Sequence, residues 1–225
     1  MVRDGTERNW RTVLALSALC ANQHPSCVRT DTMTTIPPPM FCFPLSAEAA
    51  LIPRTPLIAK AYHELLVANH ERLARWEPWA VNPPVLEETR SFLRASAQKW
   101  LDGAELPVAI AIRENGHWRL AGSVSLRISP YSQSGEIGYW IDGGYEGRGL
   151  ASKAVAAVLD QAFGPLGLDR VALHTDTANQ RSRALARRLG FTEEGLLRQA
   201  LAFPGERRDQ AAYGLLADEW NKRST

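Results

Sequence analysis

Glu146-Gly147-Arg148-Gly149-Leu150-Ala151 is the stretch whose reading decides the fold, because it joins two segments of different period. Before it, Ile137, Tyr139 and Ile141 alternate as one face of a strand running from Glu136 to Ile141. After it, Leu150, Ala154, Val155, Val158, Leu159 and Ala162 recur at helical spacing until Gly164-Pro165 ends the helix. A strand, a glycine-bearing loop and a helix start together favour anions. The first N–H groups of a helix have no intrahelical partners, and the helix dipole adds partial positive charge there. Glycine permits positive φ and close approach of backbone to a phosphate, and Arg148 adds a charge. The loop is neither a Walker sequence nor G-x-G-x-x-G. Taken alone, Gly147 and Gly149 say only that a turn precedes a helix.

Working outward, Phe41-Cys42-Phe43 and Leu51-Ile52 flank a polar turn and predict a first strand or hairpin. Thr55-Pro56 predicts a helix start, with Leu57, Ala61, Leu65 and Ala68 on its apolar face. Asn69 to Trp79 reads as a second helical piece ending at Pro78, and Leu86 to Leu101 as a third helix after the Pro83-Pro84 break. Leu106 to Arg113 and Trp118 to Ile128 form a hairpin about Asn115-Gly116. Downstream lie a strand from Val171 to Thr175, a helix from Gln180 to Leu189 closed by Gly190, and two strands about Pro204-Gly205.

Composition narrows the class. Of 225 residues 45% are hydrophobic and 22% charged, enough apolar content for a packed core, with one domain expected at residues 40–225. A formal charge of +2 lacks the concentrated basic face that a nucleic-acid binder needs. The cysteines Cys20, Cys27 and Cys42 have no metal-ligand spacing and read as ordinary thiols in a reducing, cytoplasmic setting. His63 and His70 stand seven apart, wrong for a two-ligand metal site, and no metal is expected. Residues 1–39 read as a flexible leader or a mis-assigned start, with Met33 and Met40 as alternative starts. The apolar run Val13 to Ala21 is too short to span a bilayer, so no membrane partner is expected.

Further residues carry a resemblance. Glu146 to Ala151 resembles the Q/R-x-x-G-x-G/A signature of the GNAT superfamily of N-acetyltransferases, with Glu146 in the Gln/Arg place. Asn179 and Ser182 followed by Leu189-Gly190-Phe191 resemble its second signature, N-x-x-S and then L-G-F. Arg72-Leu73-Ala74-Arg75-Trp76-Glu77-Pro78-Trp79 and Glu136-Ile137-Gly138-Tyr139-Trp140 are similar to the RimJ/RimL branch, the ribosomal-protein N-terminal acetyltransferases. The resemblance implies an α/β (α+β) fold: a mixed, mostly antiparallel sheet with helices on both faces, splayed between its fourth and fifth strands. Acyl-CoA lies in the gap, and the amine attacks the thioester directly.

The same resemblance assigns roles. Ile141, Gly147, Arg148, Gly149, Leu150, Ala151, Ser152, Asn179 and Ser182 are expected to bind the cofactor, acetyl-CoA, with the burden at Glu146 moved from side chain to backbone. Glu136 is the expected base and Ser182 the contact to the departing thiolate, with an oxyanion donor at a bulge near Trp140 to Asp142. Asn179 also suits an N-cap, His174 a proton relay or a structural histidine, and Trp76 the acceptor pocket or the core. Gln199-Ala200-Leu201 offers no acid in the strand where some members of the branch carry one. Tyr213 reads as core and Glu193 and Glu194 as exposed turn residues. The acceptor amine is a protein N-terminus or a small molecule. A non-catalytic acyl-CoA sensor, monomeric or homodimeric like the enzyme, is the competing class.

Overall fold

The computed structural model describes Thr35, Ile36 and residues 41–223. The expected leader, with Cys20, Cys27 and Met33, and the alternative start Met40 lie outside the described residues, apart from Thr35 and Ile36. Ile36 is buried and its N–H donates to Trp118 O at 2.9 Å.

Eight strands form one sheet in the order β1-β2-β3-β4-β5-β6-β8-β7. They are β1 (Phe43–Ser46), β2 (Ala49–Pro53), β3 (Glu105–Glu114), β4 (His117–Ile128), β5 (Ser134–Ile141), β6 (Arg170–Asp176), β7 (Thr192–Phe203) and β8 (Glu206–Leu216). The first expected element is therefore a hairpin, β1 against β2, and counting it as one makes β5 and β6 the fourth and fifth strands. Every pairing is antiparallel except β5 with β6. That parallel pair runs only from Ser134 opposite Arg170 to Glu136 opposite Ala172. Beyond it each strand stays with its other neighbour, β5 with β4 as far as Ile141 and β6 with β8 as far as Asp176. The sheet therefore opens between them.

Helices cover both faces. On one face α1 (Ala59–Ala74) and α2 (Leu86–Leu101) bury Tyr62, Leu65, Leu66, Leu73 and Leu93 against Ile52, Ala109, Ala111 and Leu120. On the other α3 (Leu150–Phe163), α4 (Gln180–Arg188) and α5 (Ala217–Asn221) pack Val155, Val158, Leu159, Leu185 and Trp220 over Ile137, Val171, Leu173 and Leu215. Each such aliphatic side chain contributes roughly 1.5–3 kcal/mol when fully buried. Strand alternation thus sends Ile137, Tyr139 and Ile141 to the α3 face and Glu136 and Trp140 to the α1/α2 face.

Three sequence expectations are corrected here. Asn69 begins no second helix; α1 runs unbroken to Ala74 because nothing between Ala68 and Asn69 stops it, and Asn69 Nδ2 donates back to Leu65 O at 3.0 Å. Leu57 sits in a 3₁₀ turn (Pro56–Ile58), 90% exposed, because the helix starts three residues after Pro56 and rotates that position outward. The chain also ends its described part with α5, whose Trp220 Nε1 donates to Asp160 Oδ1 at 2.9 Å, beyond the two strands expected there.

Candidate active site

The splay exposes backbone. Along β5, Ser134 O accepts from Ser129 N, and Asp142 N donates to Ala121 O at 2.8 Å, so even-numbered residues address β4. Gln133 O accepts from Asp169 N, on the β6 side, so odd-numbered residues address β6. Where β6 has turned away, Tyr139 and Ile141 therefore aim their N–H and C=O groups into the gap. The bulge expected near Trp140 to Asp142 is absent, since the β4–β5 register runs unbroken from Gly122 opposite Ile141 to Ile128 opposite Gly135. The irregularity lies in β4, where Ala121 is the extra residue opposite the step from Ile110 to Ala111. The donor at Ile141 is freed by strand separation, not by a bulge.

Beyond β5 the chain makes a 3₁₀ turn (Gly143–Tyr145), capped by Asp142 Oδ1 accepting from Gly144 N at 2.7 Å. Tyr145 is buried, its hydroxyl donates to Glu114 Oε2 at 2.9 Å, and Arg148 lies 5.0 Å over its ring. Burial and then Glu114 push that phenol up to about 12. Gly147 and Gly149 have φ of 74° and 72°, and a Cβ at either meets nothing within 4 Å. They are glycines for conformation rather than for room. Gly149 is the N-cap of α3, whose ladder begins with Lys153 N donating to Gly149 O. The N–H groups of Leu150, Ala151 and Ser152 thus precede the first intrahelical donor. Ser152 Oγ accepts from Arg188 Nη1 at 2.9 Å, joining α3 to α4 beside this opening.

Across the gap, Asn179 Oδ1 accepts from Ser182 N at 3.1 Å and caps α4. Ser182 Oγ accepts from the Tyr139 hydroxyl at 3.1 Å. Burial pushes the Tyr139 phenol up to about 12, so it stays a neutral donor. The sequence pattern placed Tyr139 on the Ile137–Ile141 face but assigned its hydroxyl no part. Ser182 thus meets β5 through Tyr139, while Asn179 is seen capping α4.

On the α1/α2 face, Glu136 Oε1 accepts from Arg127 Nη2 at 2.5 Å and lies 3.4 Å from His174 Nδ1. The His174 hydrogen bond, with help from Arg127, holds the Glu136 carboxyl below its usual value against the opposing effect of burial. A second carboxylate faces the same side. Glu77 accepts from Trp79 Nε1 at 2.9 Å, and burial raises its carboxyl, the Trp79 bond and Arg127 opposing. Sequence reasoning passed over Glu77; its one signal was a carboxylate set between Trp76 and Trp79. Trp76 stacks under Arg75, 4.9 Å from guanidinium to ring, at the end of α1. Arg208 Nη1 donates to Arg75 O at 2.7 Å and brings β8 alongside. Tyr213 is fully buried, as expected of a core tyrosine, and its hydroxyl donates to Glu193 at 2.8 Å. Glu193 and Glu194 are exposed, but both are paired, with Arg183 and Arg170 respectively.

Glu146 is more engaged than its place in the loop suggested: its two oxygens pair with Arg72 of α1 and Arg181 of α4. No helix among the described residues is long and apolar enough to cross a membrane.

Residues 51–192 match the family described as acetyltransferase (GNAT) domain. The protein YdaF of Bacillus subtilis (strain 168), whose name assigns it provisionally to the ribosomal N-acetyltransferases, is 33% identical over 169 residues, 73% of this chain and 89% of its own. A structure of RimL, a ribosomal L7/L12 alpha-N-protein acetyltransferase in complex with coenzyme A, superposes with a TM-score of 0.73 at 26% identity, covering 80% of this chain and 99% of that one. The microcin C7 self-immunity acetyltransferase MccE, in complex with acetyl-CoA and AMP, does so with a TM-score of 0.70 at 25% identity, over 76% and 94%. A sheet opened between β5 and β6, a glycine-led α3 beside the opening and these matches converge: the chain belongs to the acetyltransferase (GNAT) domain family and is an N-acetyltransferase.

Proposed function

We propose that this N-acetyltransferase moves an acetyl group from acetyl-CoA to a primary amine by direct attack, the acceptor being the α-amine of a protein N-terminus. The observation that carries the reading is the gap between β5 and β6, with Tyr139–Ser182 on one face and Glu136–His174 on the other. An extended, amide-bearing arm fits there, because the freed groups of Tyr139 and Ile141 offer it the pairing a strand would take. At the loop, the N–H groups of Gly147, Gly149, Leu150, Ala151 and Ser152 hold the pyrophosphate, with Asn179 Nδ2 available to the arm. Bound there, the co-substrate supplies an activated thioester.

The chain's own residues divide three tasks. Ile141 N–H faces the place where the carbonyl oxygen gains charge. Ser182, already accepting from Tyr139, keeps its own hydrogen for the departing sulfur. Glu136, held ionised by His174 and Arg127, works best by fixing His174 through Nδ1, which leaves Nε2 to take the amine's proton directly or through water. Trp76 and Glu77 border the acceptor side.

The RimJ/RimL-like Trp76–Trp79 segment and the likeness to RimL favour a protein N-terminus. The likeness to MccE favours a second reading, a small-molecule amine. A thiol-release assay over N-terminal peptides and small amines separates them. Turnover confined to small amines rejects the peptide reading, and tight CoA binding with no acceptor acylated points to a sensor.

A further inference from the structure

Glu146 sets a charge problem. A carboxylate stands at the start of the loop where, on the acyl-CoA reading, a pyrophosphate sits, and like charges repel. Its side chain is 27% exposed, and each oxygen is taken by a different guanidinium. Arg72 reaches Oε1 from the last turn of α1, and Arg181 reaches Oε2 from the first turn of α4. One negative charge is bracketed by two positive ones, so the trio presents a net cation beside the α3 start.

The placement of Arg72 is built into the loop. Its guanidinium lies directly over Gly143, so a Cβ there would push Arg72 from this place. Asn69 Oδ1 accepts from Arg72 Nη1 at 3.3 Å and from Gly143 N at 3.1 Å, locking α1 to the loop. Arg181 has a side chain 80% exposed and leans on Glu146 from the far side. A guanidinium carries five donors, and a single carboxylate oxygen occupies few of them. The remaining N–H groups are free to engage an anion held between α1, α3 and α4.

We infer that Arg72 and Arg181, gathered by Glu146, form the side-chain cation of the pyrophosphate subsite, with Glu146 as a positioning residue whose negative charge increases affinity for acyl-CoA. The inference rests on the acyl-CoA reading and goes beyond it in naming these residues and the sign of the effect. Repulsion alone predicts the opposite sign: removing the Glu146 charge would tighten binding.

The experiment measures KM and kcat with acetyl-CoA, and CoA affinity by calorimetry, for wild type, Glu146→Gln, Arg181→Ala and Arg181→Lys. S-acetylpantetheine, which lacks the pyrophosphate, serves as the second donor. Glu146→Gln and Arg181→Ala should each raise KM for acetyl-CoA and Kd for CoA about 5–10-fold, the scale of one net hydrogen bond at a solvent-exposed site, with kcat kept. Arg181→Lys should recover part of the loss, and with S-acetylpantetheine the variants should match wild type. Equal or tighter CoA binding by Glu146→Gln overturns the inference, as does an equal loss with S-acetylpantetheine, which would mark a structural role. Wild type that fails to bind CoA overturns the acyl-CoA reading instead.

Discussion

The Tyr139 hydroxyl donates to Ser182 Oγ at 3.1 Å across the opening between β5 and α4. This bond ties β5, ahead of the Glu146–Ala151 loop, to the second signature at the start of α4, and it leaves Ser182 its own hydrogen to donate. Ser182→Ala should therefore lower kcat by about 10²-fold, the lower end of what one hydrogen-bond donor to a developing negative charge contributes, and change KM for acetyl-CoA little. Tyr139→Phe, which leaves Ser182 in place but unaimed, should cost less. Steady-state kinetics decides; a Tyr139→Phe loss exceeding that of Ser182→Ala would make the phenol the donor.

Glu136 and His174 should behave as one unit, since the carboxylate's task is to fix the imidazole at 3.4 Å. Glu136→Gln and His174→Gln are expected to lower kcat/KM by similar factors, and the double variant by no more than the larger. Additive losses in that cycle would separate the two residues.

The lowered Glu136 carboxyl also makes a stability prediction. A depressed carboxyl adds stability that is complete above its unfolded value, near 4.5, and is lost as pH falls through the lower folded value. Wild type should thus exceed Glu136→Gln in Tm by a small margin that holds from neutral pH down to about 4.5 and closes as pH falls further. Glu77 runs the other way. Burial raises its carboxyl, so its charged form is a cost that begins as pH rises through the unfolded value. Glu77→Gln should then be more stable than wild type at neutral pH and equal to it in acid, by thermal melts across pH.

Arg54 is buried between β2 and α2, donating to Ser96 Oγ at 2.7 Å, Ser123 Oγ at 3.0 Å and Glu105 Oε1 at 2.8 Å. Its replacement by methionine leaves Glu105, 6% exposed, without its main partner. The expected loss is about 3 kcal/mol or more by denaturant unfolding, because an uncompensated charge stays buried.

Gly149→Ala tests the loop backbone apart from crowding. With φ at 72° and no atom near the added Cβ, the penalty is conformational, about 1–2 kcal/mol. Relief by rotation would turn the α3 N–H groups, so KM for acetyl-CoA should rise while an acceptor's KM holds.

The sequence alone determined the hairpin about Asn115-Gly116, the strand before Gly143, the helices from Leu150 and Gln180, and the loop at Gly147–Gly149. Those features follow from local period, turn residues and caps, which each segment carries within itself. It also paired Asn179 with Ser182, because an N-cap and the residue three beyond it are fixed by helix geometry. The tertiary structure decided what separation in space decides. The Ile141 donor comes from strand divergence and not from a bulge, since pairing partners are non-local. Arg72 and Arg181 lie 74 and 35 positions from Glu146 in the chain, and only the packing of α1 and α4 about one loop makes them its partners. The pull of His174 on Glu136, and the burial that raises Glu77, likewise depend on neighbours and solvent exclusion that no linear spacing encodes.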